Sequence, residues 1–449
     1  MGQTGTTGGT SATGATDASG TDTETTGACD EFIKLDAACD PSAMCVLDED
    51  CARGEFCTED NTCAPIPALM PCGAAPSWQV AQDIDAGSFD PVNPIPFVRA
   101  ADDGRTVLLV RDVLAGVEVR SAADLSLVRT VDRPGIGADW VASVGMFDVD
   151  GDGLRDLVWA GSWDETAGDL EEKGFEVVVA PGTADAPPDF DPWTLRHRFD
   201  ERPFEVFGID AATPSGRAIV LLADDGWRLL SVEMGQGGPE LVEADRGAMD
   251  SSWRYAAQVP PGVSGAPCSG CALFAYTART DTDAHLFAPT DPAYPGFELN
   301  LPGRATARWI LSASALNPPL VAAVWPVLHD GGEPDLHVGV VVGPDGAQGR
   351  HIAEFDRGHS IWPEDRGALL YDAGGSPLGI VAGDRGASVV AVHPDGAPWC
   401  VAALFDDLKT RSTVAVDASG DGARDDIVAL VSDPNEGSKG RLMLFSPSP

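Results

Sequence analysis

From residue 97 to the C-terminus, short apolar runs alternate with polar turns in a unit that recurs about every fifty residues. The second run of each unit is the most apolar. These runs are Thr106–Val110, Leu157–Ala160, Ala218–Ala223, Ala272–Tyr276, Leu320–Trp325, Leu378–Ala382 and Ile427–Val431. They are too short for helices, rich in Val, Ile and aromatics, and bounded by Gly, Pro and Asp, so they are predicted to be strands. A third run follows each: Val117–Arg120, Phe175–Val179, Trp227–Val232, His285–Phe287, Leu336–Val342, Ser388–Val392 and Arg441–Phe445. A fourth follows six of them: Leu125–Val131, Trp193–Phe199, Glu240–Glu243, Phe297–Leu301, His351–Phe355 and Trp399–Phe405.

The seventh unit lacks its fourth run. Pro76-Ser77-Trp78-Gln79-Val80-Ala81 is similar to Ala397-Pro398-Trp399-Cys400-Val401-Ala402, so a strand over 77–83 is expected to complete the last unit. Four-stranded units at this spacing, with the first strand closing the last unit, predict an all-β chain with a seven-bladed β-propeller over 73–449. Such closure leaves the ring no open seam.

One turn carries chemistry. In Phe147-Asp148-Val149-Asp150-Gly151-Asp152-Gly153-Leu154-Arg155-Asp156, the carboxylates of Asp148, Asp150, Asp152 and Asp156 fall at positions 1, 3, 5 and 9. Gly153 takes position 6, where the chain turns sharply, and the carbonyl of Leu154 takes position 7. Several oxygens converging in one tight turn suit Ca²⁺. Trp159 stands at position 12, so the turn is no EF-hand. A strand, a DxDxDGxxD turn and a second strand resemble the FG-GAP repeats of integrin-α-type propellers and the related VCBS-type repeats of secreted bacterial proteins. That resemblance implies a calcium-stabilised propeller. A second turn aligns with the first through Asp417, Ser419, Asp421 and Asp425, with Ser419 a neutral and weaker ligand. The other units keep the strand rhythm without the turn.

Composition fixes the setting. The net charge is −41, which repels phosphate backbones and excludes nucleic acid as a partner. Residues 1–28 hold no Leu, Ile, Val or aromatic residue and are predicted to be a disordered Thr/Gly/Ser-rich tether. Cys29, Cys39, Cys45, Cys51, Cys57, Cys63 and Cys72 crowd the segment 29–72, which is predicted to be a disulfide-stapled module. Zinc is disfavoured there, because the segment has no His and no CxxC pair. Disulfides imply an oxidising compartment, secreted or at the outer envelope, with a lipid anchor upstream of residue 1 compatible with the tether. The uncharged stretch Trp309–Leu328 is broken by Pro318-Pro319, so it predicts two strands and no membrane span.

Other candidates are weighed against plainer readings. Trp140, Phe204, Trp253, Trp309 and Trp362 recur just before first strands, and a Trp ring at the channel mouth would bind a glycan or a peptide. Packing between blades is the plainer reading. Cys268 and Cys271 read as a static disulfide in a turn, and His329 with His337 as a solvated turn. Cys72 and Cys400 remain as a pair that would tie the closing strand to the ring. No HExxH, GxSxG, Walker or GxGxxG motif is present, so no catalytic residue is assigned. The expected function is non-catalytic binding of an extracellular glycan or protein by a calcium-stabilised monomer. The alternatives are a hydrolase or lyase acting on extracellular polysaccharide with carboxylates in the channel, and a structural scaffold subunit.

Overall fold

A computed structural model of the chain describes residues 45–449, less 53, 59, 67–69, 72–77, 89–95, 112–115, 136–139, 168–169, 185–188, 225, 249–254, 260–272, 278–283, 291–296, 300–308, 315–319, 328–334, 343–347, 356–367, 375–376, 383–384, 392–399, 433–438 and 448–449. The expected tether, Cys29, Cys39, Cys72, Cys268, Cys271, Trp253, His329 and Trp362 lie outside the described residues.

The predicted runs form antiparallel meanders. Phe97–Ala100, Thr106–Val110, Val117–Ser121 and Leu127–Val131 pair in chain order as the first four-stranded blade. The second holds Val141–Phe147, Asp156–Ala167, Leu170–Ala180 and Leu195–Phe199. The third holds Pro203–Asp210, Arg217–Ala223, Gly226–Gly235 and Gly238–Ala248. The fourth holds Tyr255–Val259, Leu273–Thr277, Ala284–Phe287 and Phe297–Leu299. The fifth holds Trp309–Ser314, Leu320–Val327, Asp335–Val342 and Gln348–Phe355.

Seven further strands join in one larger sheet, in the order Ala368–Tyr371, Pro377–Ala382, Arg385–Ala391, Cys400–Val416, Asp426–Ser432, Lys439–Pro447 and Trp78–Ser88. Cys400–Val416 serves both halves of this closing sheet. Its first part pairs with Arg385–Ala391 and its second with Asp426–Ser432, the two meeting at Lys409. Trp78–Ser88 lies antiparallel along Lys439–Pro447, from Trp78 opposite Pro447 to Ser88 opposite Lys439. The short strand Met70–Pro71 adds in parallel to Cys400 and Val401.

The first strands neighbour one another in a cycle. Phe97–Ala100 lies next to Val141–Phe147, then come the first strands at 203, 255, 309 and 368, and Cys400–Val416 returns to Phe97–Ala100. Meandering sheets arranged radially, with the last packed on the first, make this chain an all-β propeller. Second strands are buried on both faces because their alternate residues serve two neighbours. Leu157 and Trp159 join the apolar layer shared with the first blade, whereas Val158 and Ala160 join the one shared with the third. Val107 and Leu109 pack with Val414, Val416, Val428 and Leu430 of the closing sheet. Burying each such side chain contributes about 1.5–3 kcal/mol. Trp78, 5% exposed, seats among Leu370, Ile427, Ala429 and Phe445 and donates its indole N–H to the carbonyl of Asp425 at 2.7 Å.

Within the Cys-rich segment, Glu55–Cys57 and Cys63–Pro65 form a hairpin after a 3₁₀ turn at Asp48–Asp50. Disulfides join Cys45 to Cys57 and Cys51 to Cys63. The buried carboxylate of Asp48 accepts the N–H of Cys57, and that of Asp50 accepts the N–H groups of Val46 and Leu47. Two crosslinks and two buried or capped acids thus replace the apolar core that so short a segment lacks.

Candidate metal centre

The Asp148 turn joins the first two strands of the second blade and is shaped by its own carboxylates. Asp148 Oδ1 accepts the N–H of Gly151 at 2.7 Å, and Oδ2 accepts that of Gly153 at 3.1 Å. Asp150 accepts the N–H of Asp152, and Asp152 that of Leu154. Gly151 and Gly153 have φ of 83° and 86°, the left-handed region that only glycine enters without strain. Gly151 has a second reason to be glycine. A Cβ there would lie 2.3 Å from the carbonyl oxygen of Ser215, in the neighbouring turn of the third blade.

Asp156 opens the second strand opposite Phe147 and is 2% exposed. Its carboxylate accepts N–H groups from Val149 at 2.7 Å and from Gly182 at 2.8 Å. Burial, aided by the charges of Asp150 and Asp152, pushes the Asp156 carboxyl up to about 6. Burial likewise raises that of Asp150, with Asp152 and Asp148 adding to it. One oxygen from each of Asp148, Asp150 and Asp156 lies within 4.8 Å of the other two. Two oxygens on opposite sides of a calcium ion, each at about 2.4 Å, stand about 4.8 Å apart, so the three fit one Ca²⁺. Asp152 belongs to the same turn but is outside that converging trio.

Arginines link this turn to its neighbours on both sides. Arg155 pairs with Asp102 and approaches Asp103 at 3.5 Å in the first blade. Arg217 of the third blade points its Nε at Asp148 Oδ2 from 3.8 Å and pairs with Asp210.

The second turn, 417–426, has the same fold with different contents. Asp417 Oδ1 accepts the N–H of Gly420 at 2.7 Å and Oδ2 that of Gly422 at 3.2 Å, as Asp148 does with its glycines. Ser419 accepts from Asp421, and Asp421 from Ala423. The strand pairing places Asp426 opposite Val416, and Asp426 accepts the N–H of Ala418 at 2.9 Å. Asp426 therefore occupies the place of Asp156, and Asp425 is one residue short of it. Burial and the charges of Asp426, Asp421 and Asp417 push the Asp425 carboxyl up to about 6. Burial alone would raise that of Asp417, but Arg105 and the Gly420 and Gly422 amides outweigh it and hold it below the ordinary range.

Sequence reading missed these arginines. A signal existed: Arg105, Arg155, Arg217 and Arg424 each stand one or two residues after a turn glycine, at the entry to a second strand.

The aromatic candidates divide. Trp140 precedes the first strand of the second blade, with Phe175 edge-on at 5.8 Å and the Arg202 guanidinium 4.7 Å from its ring. Its backbone N–H donates to Ser162 Oγ. This is packing at the base of the long hairpin Asp156–Ala180. Trp309 opens the strand Trp309–Ser314, and Phe204 lies within Pro203–Asp210. On the inner strands, Glu205 is 5% exposed and is held by Arg99 at 3.1 Å and by the hydroxyl of Ser143.

No helix among the described residues is long and apolar enough to cross a membrane. The sequence matches no protein-family model and no curated protein. Among solved structures it is similar to the WD40 domain of Toxoplasma gondii coronin, at 12% identity and a TM-score of 0.49 over 85% of this chain and 90% of that one. It is similar to streptogramin B lyase at 11% identity and a TM-score of 0.42, over 82% and 98% of the two chains. A functionally unknown protein of Desulfotomaculum acetoxidans DSM 771 gives 11% and 0.42, over 70% and 86%. The propeller assignment rests on the strand order and cyclic packing above.

Proposed function

We propose that this chain is a calcium-stabilised, non-catalytic binding propeller of a secreted or envelope-tethered protein, with an extracellular glycan or protein as its ligand. The observation that carries this reading is the convergence of Asp148, Asp150 and Asp156 at a turn wedged between the first and third blades. Three carboxylates held together repel one another, and a hard cation with oxygen ligands relieves that repulsion. When bound, calcium would supply charge compensation and crosslink the turn; Leu154 would add a carbonyl and Asp152 a water-mediated contact. A structural ion of this kind stiffens a scaffold and does no chemistry on a substrate.

The closing sheet divides at Lys409 into two four-stranded halves, which supports seven blades. The two disulfides of the Cys-rich segment support an oxidising compartment. At this turn the chain resembles FG-GAP repeats, and the seven-blade reading suits that resemblance. Glu205, a buried inner-strand carboxylate, is engaged by Arg99 and Ser143, which favours a structural role over a catalytic one. The test is a glycan array run beside turnover assays on the same polysaccharides, each in calcium and in chelator. Calcium-dependent binding without turnover supports the reading. Turnover that is lost in Glu205→Gln would replace it with the enzyme.

A further inference from the structure

The two Asp turns share a backbone but differ in which cation faces the first Asp. At the 417–426 turn, Arg105 of the first blade reaches across the seam. Its Nε donates to Asp417 Oδ2 at 3.2 Å, and its Nη2 donates to the Gly420 carbonyl at 2.8 Å. The Asp417 amide donates to the Gly104 carbonyl at 2.8 Å, so backbone and side chain cross the same seam together. The Arg424 guanidinium donates to the Asp102 carbonyl from the other direction. Asp417 Oδ2 thus receives both a glycine N–H and a guanidinium N–H, while its side chain is 5% exposed. At the 148–156 turn the corresponding arginine, Arg217, stands 3.8 Å off and is drawn to Asp210 instead. A carboxylate occupies position 3 in the first turn (Asp150) and a hydroxyl in the second (Ser419).

We infer that Arg105 is the resident cation of the 417–426 turn, so that the seam between the closing sheet and the first blade is held without metal. A guanidinium that fills one lone pair of Asp417 and a turn carbonyl takes two of the oxygens a calcium ion would need. It also brings its positive charge to the place where the ion would sit, and like charges exclude one another. With Ser419 neutral, position 3 of the turn offers no carboxylate with which to displace the arginine. The ring therefore closes on a covalently attached cation, whereas the second blade recruits a free one. The second half of that contrast rests on the calcium reading above; the first half does not.

The experiment uses the full chain. Calcium stoichiometry is measured by equilibrium dialysis with radiolabelled Ca²⁺ on wild type, Asp156→Asn and Asp417→Asn. Hydrogen exchange of the 417–426 amides is measured in calcium and in chelator on wild type, Arg105→Lys and Arg105→Met. One calcium per chain is expected, lost in Asp156→Asn and kept in Asp417→Asn. The Gly420 and Gly422 amides are expected to exchange equally slowly in calcium and in chelator. Arg105→Met should speed their exchange at least tenfold in both, and Arg105→Lys by less. A second calcium that disappears in Asp417→Asn overturns the inference, as does exchange at 417–426 that quickens on chelation. Unchanged exchange in Arg105→Met also overturns it. If wild type binds no calcium, the reading of the first turn fails, and the exchange comparison still decides the role of Arg105. If Arg105→Met does not fold, Arg105→Lys and the wild-type chelation arm carry the decision.

Discussion

The turns at 148–156 and 417–426 bend their backbones through the same glycine amides, yet one gathers three carboxylates within 4.8 Å and the other faces an arginine. The spacing of acids in a turn sets its shape. Which arginine faces the turn is set by the neighbouring blade. Asp148 and Asp417 receive the same pair of glycine amides, so the turns differ in position 3, Asp150 against Ser419, and in the arginine that the next blade offers, Arg217 against Arg105. The spacing of acids in the chain therefore describes only one side of a seam.

The contrast breaks most severely if the closing strand is removed. Deleting residues 1–83 takes away Trp78, which braces the second turn through the Asp425 carbonyl, and leaves the first turn intact. Loss of Trp78 alone should cost about 3–5 kcal/mol, and the open edge should promote association. Deleting 1–70 should do neither. Denaturant melts with size-exclusion profiles check this, and equal behaviour of the two deletions would show that Trp78–Ser88 does not hold the ring.

Next in size is the metal. Saturating calcium, at about a hundred times a dissociation constant of roughly 10⁻⁴ to 10⁻³ M, should stabilise wild type by about 3 kcal/mol. In calcium, Asp156→Asn should lose that increment, and chelator should then change little. Arg105→Met should lose a smaller amount, about 1–2 kcal/mol, because Arg105 is largely exposed, and it should lose it equally with and without calcium. Paired thermal melts decide. A calcium-dependent cost for Arg105→Met would merge the two turns into one class.

The glycines sharpen the comparison within a single turn. Gly151→Ala meets both a positive φ and the Ser215 carbonyl, and should cost roughly 2–3 kcal/mol. Gly153→Ala meets the positive φ with open space around it, and should cost about 1 kcal/mol. Equal costs would show that the turn does not press on the third blade.

The smallest effect concerns acidity at the seam between the second and third blades. Burial lowers the His197 pKa, and Arg228 opposes its protonation, while Glu243 at 3.7 Å favours it. A histidine depressed in the folded state stabilises the fold above its unfolded pKa of about 6.5, and that stability is lost as pH falls through the folded value. Wild type should therefore soften on acidification below about pH 6.5 more than His197→Gln does. Parallel slopes in pH-dependent melts would remove His197 from the account.

Much of this was legible in the chain. The second strands declared themselves because both of their faces are buried, which leaves an unbroken apolar run such as Ile427–Val431. The first turn declared itself through its acid spacing. The hairpin Asp156–Ala180 reads in sequence as two short strands, because its outer part, through Asp164 and Lys173, pairs beyond the blade and carries no apolar alternation. Cys400–Val416 hid its double use because Asp406-Asp407 looks like a turn. Asp426 was passed over for Asp425 because the second turn is one residue longer than the first. Arg105 could not be assigned at all, since its partner lies 312 residues away. Cys72 and Cys400 stay a prediction: Met70–Pro71 runs beside Cys400 and Val401, and non-reducing peptide mapping should find the two cysteines linked, free thiols at both refuting it.

Trp78–Ser88 waits for Lys439–Pro447, its partner in the closing sheet and made long after it. At about 5–20 residues per second, roughly 370 residues of synthesis separate the two, an interval of about 20 to 70 s. Throughout it the slot beside the final strand does not yet exist, and the early strand keeps its backbone donors unpaired. Once the slot appears, a first strand from a second nascent chain fits it as well as the chain's own. Strand exchange between copies is thus the error that this mode of closure invites.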